Sequence, residues 1–307
     1  MKKTVVITGA NGFIGKALIG RMCRGEYYVV AVVRQGEQDE LAEFVQKGVR
    51  IVENNMEEYA HLIKKIERCD IFISLAWDGT RGKTRDDAER QQKNYLYSMQ
   101  ALYAATDMGC KVFISAGSQA EYGNINGKIS EDMPCHPVTE YGKWKFAFFR
   151  DASEHCKKNG IAFKEPRFFS LYGENDVETT MIIDILKKML KNEPCELTEC
   201  IQNWDYLYIS DAVEGIMKLL EVKCDDGIYN FGSGDVRTLK DYVAEMYAVT
   251  HSESKLLFGA VPYPDTGMVS IWPDIHKLQK IGWSVQVPFG VGIQKIIDKY
   301  GGSSDSR

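Results

Sequence analysis

Tyr141-Gly-Lys-Trp-Lys145 sets a phenol and an ammonium four residues apart, which on a helix means one turn and the same face. A phenol that exchanges protons with a substrate near neutrality must fall from about 10 toward 7, at a cost of about 4 kcal/mol. One ammonium at about 5 Å, with an effective dielectric near 20, supplies about 3 kcal/mol. The pair is therefore a candidate proton donor and acceptor if a second positive charge comes near. Because the same spacing occurs by chance on exposed amphipathic turns, its meaning depends on what surrounds it.

A second cluster is residues 8–15, TGANGFIG, between the apolar run 4–7 and the helical stretch 16–24. Gly9, Gly12 and Gly15 fall where such a turn needs permissive dihedrals, close backbone approach to a pyrophosphate, and tight packing of helix on strand. The helix start adds free N–H groups for the phosphates. Gly9, Asn11, Gly12, Phe13, Ile14 and Gly15 are thus the candidate cradle for a dinucleotide.

The elements that would carry these clusters alternate along the chain. Runs 4–7, 28–33, 49–52, 71–75, 111–115 and 163–167 are apolar on both faces, as strands of a buried parallel sheet are, and longer helix-like segments separate them. This predicts an α/β fold, a Rossmann-type doubly wound parallel sheet. After Arg167 the rhythm breaks into a helix over 181–190, short strands at 205–209 and 228–231, and helices starting near Asp211 and Thr238. We read residues 1–168 and 205–232 as the dinucleotide-binding domain, with 169–204 and 233–300 as a smaller, interleaved C-terminal substrate lobe. Residues 301–307 (GGSSDSR) read as a disordered tail.

Composition narrows the function classes. The 307 residues are 44% hydrophobic and 26% charged with a net charge of −5, the profile of a soluble globular protein and not of a fibrous or disordered one. The acidic balance and the lack of a basic stripe argue against nucleic acid. No apolar run approaches the roughly 20 residues of a membrane span, and the first residues lack a signal peptide's pattern, so the expected location is the cytoplasm with no membrane partner. Eight scattered cysteines, without CxxC or Cys/His spacing, read as reduced thiols and no metal site.

GxxGxxG in register with YxxxK resembles the short-chain dehydrogenase/reductase superfamily, in particular its extended branch of nucleotide-sugar epimerases, dehydratases and reductases. The resemblance covers nearly the whole chain and implies roles for other residues. Asn55 and Met56 fall beside the adenine, Leu75, Ala76 and Trp77 end the fourth strand, and Asn94 lies in the long helix that supports the active site. Tyr141 and Lys145 become the catalytic pair, helped by the positive nicotinamide ring, and the lysine also holds the nicotinamide ribose. In residues 113–123 (FISAGSQAEYG) the third catalytic member is Ser118, four before Tyr122, while Ser115 is structural. Sugar 4,6-dehydratases of the branch carry Asp-Glu after the catalytic threonine; here Gln119-Ala120 stands there. Dehydration is thereby disfavoured, with Glu121 as its remaining candidate acid or base.

An NAD-selective member would place an acidic residue at the end of the second strand. This chain has Arg34 there, whose guanidinium suits a 2′-phosphate, with no carboxylate at that strand end. The cofactor reading is NAD(P), with NADP favoured over NAD; the alternative is a solvated arginine.

On the substrate side, residues 166–173, 203–211 and 230–234 resemble three segments of the branch. They imply Ser170 and Trp204 as substrate contacts beside Trp77 and Gln119. The arginines that usually grip a diphosphate are missing at Trp204 and from residues 262–267. Arg237, Arg81, Arg85 or Lys187 substitutes, or the substrate is no standard nucleotide sugar. Trp204 stacks on a base or sugar, or packs in a core.

The leading expectation is a 4-ketoreductase or 4-epimerase acting by hydride transfer at C4 of a nucleotide sugar. The alternatives are a reductase of a small non-sugar ketone and a noncatalytic NADP-binding sensor. Helices over 94–108 and 141–158, with Tyr95, Met99, Tyr103, Trp144, Phe146 and Phe149, imply a homodimer through a four-helix interface.

Overall fold

The computed structural model describes residues 2–25, 27–263 and 268–302. The apolar run 4–7 becomes β1 (Lys3–Thr8), buried from Val5 to Thr8. The other expected runs form β2 (Tyr27–Val33), β3 (Arg50–Glu53), β4 (Ile71–Ser74), β5 (Val112–Ser115), β6 (Ala162–Phe168) and β7 (Gly227–Phe231). They lie in the order β3-β2-β1-β4-β5-β6-β7, parallel from β3 to β6. The order runs outward in both directions from β1, which is the doubly wound arrangement expected. It leaves a crevice at the C-terminal ends of β1 and β4, where the winding reverses.

Crossover helices cover this sheet. α1 (Phe13–Met22) follows the glycine segment, α2 (Ala88–Asp107) precedes β5 and α3 (Glu140–Asn159) precedes β6. α2 starts on Asp87, which accepts from Arg90 N–H, and α3 on Thr139, which accepts from Gly142 N–H. Gly160, at φ 64°, ends α3 in the left-handed region. Phe72, Phe113 and Phe163 stand side by side on β4, β5 and β6 with ring centres 5.2 and 6.2 Å apart. Together with Leu102, Phe148 and Ile161 they belong to one buried core.

The chain divides into two units: 1–124, 132–168 and 216–229 form the first, and 125–131, 169–215 and 230 onward form the second. The sequence boundaries differ in that 125–131, 205–215 and 230–232 fall in the second unit. Gly127–Ile129 pairs there with Ile271–Pro273. The second unit holds α4 (Met181–Leu190), α6 (Leu239–Thr250) and α7 (Phe289–Gly302), while α5 (Ile209–Glu221) spans the division. The run 205–209 is not one strand. Asp205 turns inward to accept from the N–H groups of Ser233 and Gly234, leaving Asn203–Trp204 and Leu207–Tyr208 as separate short strands. α7 continues through Gly302, two residues into the expected tail, and 303–307 lie outside the described residues.

Candidate active site

The three glycines of residues 8–15 do different work. Gly9, at φ +65°, lies so close to the end of β4 that a Cβ would stand 2.7 Å from Ala76 N. Gly15 packs α1 onto the turn, where a Cβ would meet the Gly9 carbonyl at 2.4 Å. Gly12 is exposed, and its Cβ would stand 3.2 Å from that carbonyl. It precedes Phe13 and Ile14, whose N–H groups belong to the first turn of a ten-residue helix. Gly9, Asn11, Gly12, Met56, Leu75, Ala76 and Trp77 line one groove of about 190 Å³ with the end of β2. A cradle shut to side chains at Gly9 and Gly15 and open at Gly12 fits a dinucleotide pyrophosphate.

At the other end of the groove, Arg34 is met by a carboxylate that the strand-end reading did not include. Glu37 accepts from Arg34 Nε at 3.1 Å and pairs with its terminal nitrogen at 2.8 Å. The same group accepts from Asn11 at 2.8 Å. The acidic residue came three positions later because the chain turns back through Gly36, at φ 81°. Asn55 does not line the groove; it accepts from Gln35 N–H and so fastens that turn.

Ser118 ends a short strand, Gly117–Ser118, beside β6. Tyr141 and Lys145 are buried on one face of α3. Burial pushes Tyr141 up to about 12, opposed by a hydrogen bond with Ser118 and by the charge of Arg85. The ammonium of Lys145 is directed away from the phenol. Lys145 Nζ donates to the Ala116 carbonyl at 2.7 Å and lies 3.9 Å from the Trp77 ring centre, against 6.0 Å from that of Tyr141. Burial lowers Lys145 to about 8, against the opposing pull of Glu121 and Glu165.

Trp77 joins the two clusters. It lines the groove and meets Tyr141 edge-on at 6.2 Å. Its indole N–H donates to Gln91 at 2.7 Å, and Gln91 donates to the carbonyls of Gly79 and Thr84. Asn94 holds the same loop through both backbone groups of Asp78. Gln91 escaped the sequence reading, since one glutamine on a helix carries no pattern.

Glu121 is wholly buried, accepting from Ser118 N–H and from Arg167, each at 2.8 Å. With both oxygens engaged it does not suit the acid or base of an elimination. Arg167 also donates to Glu165 at 3.0 Å and to the Cys135 sulfur at 3.1 Å. Burial and the neighbouring Glu121 push Glu165 well above the usual carboxylate range. Gln119 sits in the turn directly after Ser118.

In the second unit, Trp204 donates its indole N–H to Ser170 Oγ at 2.8 Å, so these two candidates meet each other. Arg237 pairs with Asp235 at 3.0 Å and Glu245 at 2.6 Å. Lys187 pairs with Glu178 at 2.7 Å. Of the four cations expected to replace the missing arginines, Arg237 and Lys187 thus hold carboxylates, and Arg85 lies over the Tyr141 ring. Residues 264–267 of the arginine-free stretch lie outside the described residues.

The NAD dependent epimerase/dehydratase family matches residues 5–232 of the chain. Over 97% of this chain and 98% of its own length, CDP-abequose synthase of Salmonella muenchen is 24% identical. The dTDP-4-dehydro-6-deoxyglucose reductase of Escherichia coli is 27% identical over 96% of this chain and 97% of its own. Among solved structures, UDP-glucose 4-epimerase of Thermotoga maritima with UDP-glucose superposes with a TM-score of 0.87 at 18% identity, covering 98% and 99% of the two chains.

Proposed function

The chain belongs to the NAD-dependent epimerase/dehydratase family, and from that premise we propose that it transfers hydride at C4 of a nucleotide-bound sugar, as a 4-ketoreductase or a 4-epimerase. It is an NAD(P)-dependent enzyme of the extended short-chain dehydrogenase/reductase type. The observation that carries the reading is the position of Trp77, which lines the groove of Gly9 and Gly12 and touches both Tyr141 and Lys145. Proton transfer and cofactor binding therefore share one wall.

The segment from Gly9 to Gly15 would hold the pyrophosphate, and the nicotinamide, when bound, supplies or accepts the hydride. Ser118 orients the substrate oxygen, Tyr141 gives it a proton or takes one, and Lys145 keeps a positive charge at the site. A phenol pushed up to about 12 is protonated at pH 7, the form from which a ketone reduction starts. NADP over NAD is the finer cofactor reading, supported by Arg34, whose side chain is 65% exposed at the groove. A 2′-phosphate would have to draw it from Glu37.

Leu96 and Tyr103, both about half exposed on α2, support a homodimer through that helix. Eight free cysteines support a cytoplasmic location, and no described helix is long and apolar enough to cross a membrane. One observation favours a small non-sugar ketone as substrate: the engagement of Arg237 and Lys187 by carboxylates. Mass spectrometry of ligand released from freshly purified protein, followed by NADPH oxidation assays with UDP-, dTDP- and CDP-linked 4-ketosugars, tests the proposal. Turnover of simple ketones alone would replace it.

A further inference from the structure

Glu121 faces two donors, the N–H of Ser118 and the guanidinium of Arg167. Only a group with two acceptor oxygens and no hydrogen satisfies both, which is a carboxylate and not an amide. The turn it fixes also supports the catalytic helix. Gly142, next to Tyr141, packs so tightly on the Ala120 carbonyl that a Cβ would stand 2.4 Å from it. Behind the turn, Arg167 links Glu121 to Glu165, and Glu165 lies under Gly117, where a Cβ would meet it at 2.7 Å. All three charged side chains are 0–1% exposed.

We propose that Glu121 is a positioning residue of the catalytic group: it holds Ser118 in place through the backbone and stands as a buried counter-charge to Lys145. The groups around the ammonium are the Ala116 carbonyl, the Trp77 ring, Tyr141 one turn back, and the two carboxylates bridged by Arg167. Of the two carboxylates, Glu121 is the one that also accepts from Ser118 N–H. The inference rests on the roles given above to Ser118, Tyr141 and Lys145.

Two variants separate the parts of this role. Glu121→Asp keeps the charge but is one methylene too short to reach both donors. Glu121→Gln keeps the length but removes the charge. Lys145 can be followed without cofactor or substrate, because its ammonium lies on the Trp77 ring and its ionisation will change tryptophan emission. Wild-type protein is expected to show a fluorescence step near pH 8, in line with the value of about 8 for Lys145, that vanishes in Trp77→Phe and Lys145→Met. In Glu121→Gln the step should move down by about one pH unit or more, and in Glu121→Asp it should stay where it was.

In steady-state assays both variants should lose about 10- to 100-fold in kcat, with KM little changed. A fluorescence step that stays in place in Glu121→Gln overturns the charge role, and wild-type kcat in folded Glu121→Asp overturns the positioning role. Should the glutamine variant not fold, kcat of the aspartate variant decides, and a loss of melting temperature with kcat unchanged counts against the proposal. A Tyr141→Phe protein with full turnover would remove the catalytic reading and leave the cofactor-free titration intact, so the two failures are distinguishable.

Discussion

The guanidinium of Arg85 lies over the ring of Tyr141, 5.0 Å from Cζ to the ring centre, with its Nε buried and without a hydrogen-bond partner among the described residues. A cation on that face favours the phenolate, so Arg85 opposes the burial that pushes the phenol up. On the proposed mechanism the rate in the oxidative direction needs the phenolate and rises with pH. Arg85→Gln is expected to move that rise to higher pH, and Arg85→Lys to move it less. The measurement is kcat against pH with an alcohol substrate; a rise unmoved in the glutamine variant takes Arg85 out of the chemistry.

The residues proposed for catalysis should differ in severity. Tyr141→Phe removes the proposed proton donor and is expected to lower turnover by several orders of magnitude with cofactor affinity nearly intact. Lys145→Met should damage both, and Ser118→Ala should cost about 10- to 1000-fold. Gln119→Ala, in the turn after Ser118, should have a small effect. Near-normal turnover in Tyr141→Phe would end the proposed mechanism.

The glycines allow a cleaner test than substitution by a charged residue. A Cβ at Gly15 would stand 2.4 Å from the Gly9 carbonyl, so Gly15→Ala should destabilise the fold by about 1–3 kcal/mol, the usual cost of overpacking. At Gly12 the same atom sits at 3.2 Å on an exposed rim. Gly12→Ala should therefore fold nearly normally and bind nicotinamide dinucleotides more weakly. Melting curves and fluorescence titrations read the two effects, and equal melting temperatures would show that the helix does not need Gly15.

These contrasts mark what the sequence could and could not tell. The sheet was legible because a parallel strand buried on both faces writes an unbroken apolar run, and because the glycine turn and the Tyr141–Lys145 spacing are local. The aim of Lys145 at Ala116 and Trp77 was not, since it depends on where β4 and β5 bring their ends. Arg167 read as the last residue of a strand, yet it lies inside the protein between Glu121 and Glu165, 46 and 2 residues away along the chain. Glu37 was missed for a smaller reason: a left-handed glycine folded it back onto Arg34.

That fold-back gives the cofactor prediction. Arg34 and a 2′-phosphate should form a charge-assisted pair only after Glu37 releases the guanidinium. NADPH is expected to bind more tightly than NADH, and Arg34→Asp to reverse the order. Glu37→Gln should tighten NADPH further by freeing Arg34, with a smaller effect on NADH. Fluorescence titration of both dinucleotides with the three proteins is the check; wild-type preference for NADH would leave Arg34 as a surface partner of Glu37.

Keeping an ammonium in the interior should also leave a mark on stability. Lys145 falls from 10.5 to about 8 on folding, chiefly by burial. Below pH 8 both folded and unfolded chains hold the proton and the cost of burying the charge is present in full. From pH 8 to 10.5 the folded protein gives up a proton that the unfolded chain keeps, so stability rises with pH, by about 3 kcal/mol in all. Tyr141 acts in the opposite sense above pH 10, because its phenol is raised to about 12, but that contribution is shared with Lys145→Met and cancels in the comparison. Urea unfolding at pH 7 and pH 10, without cofactor, should therefore show wild type gaining most of this difference over Lys145→Met as the pH rises. A stability difference that does not change with pH would mean that the ammonium is already compensated inside the protein, with Glu121 and Glu165 offsetting the whole cost of its burial.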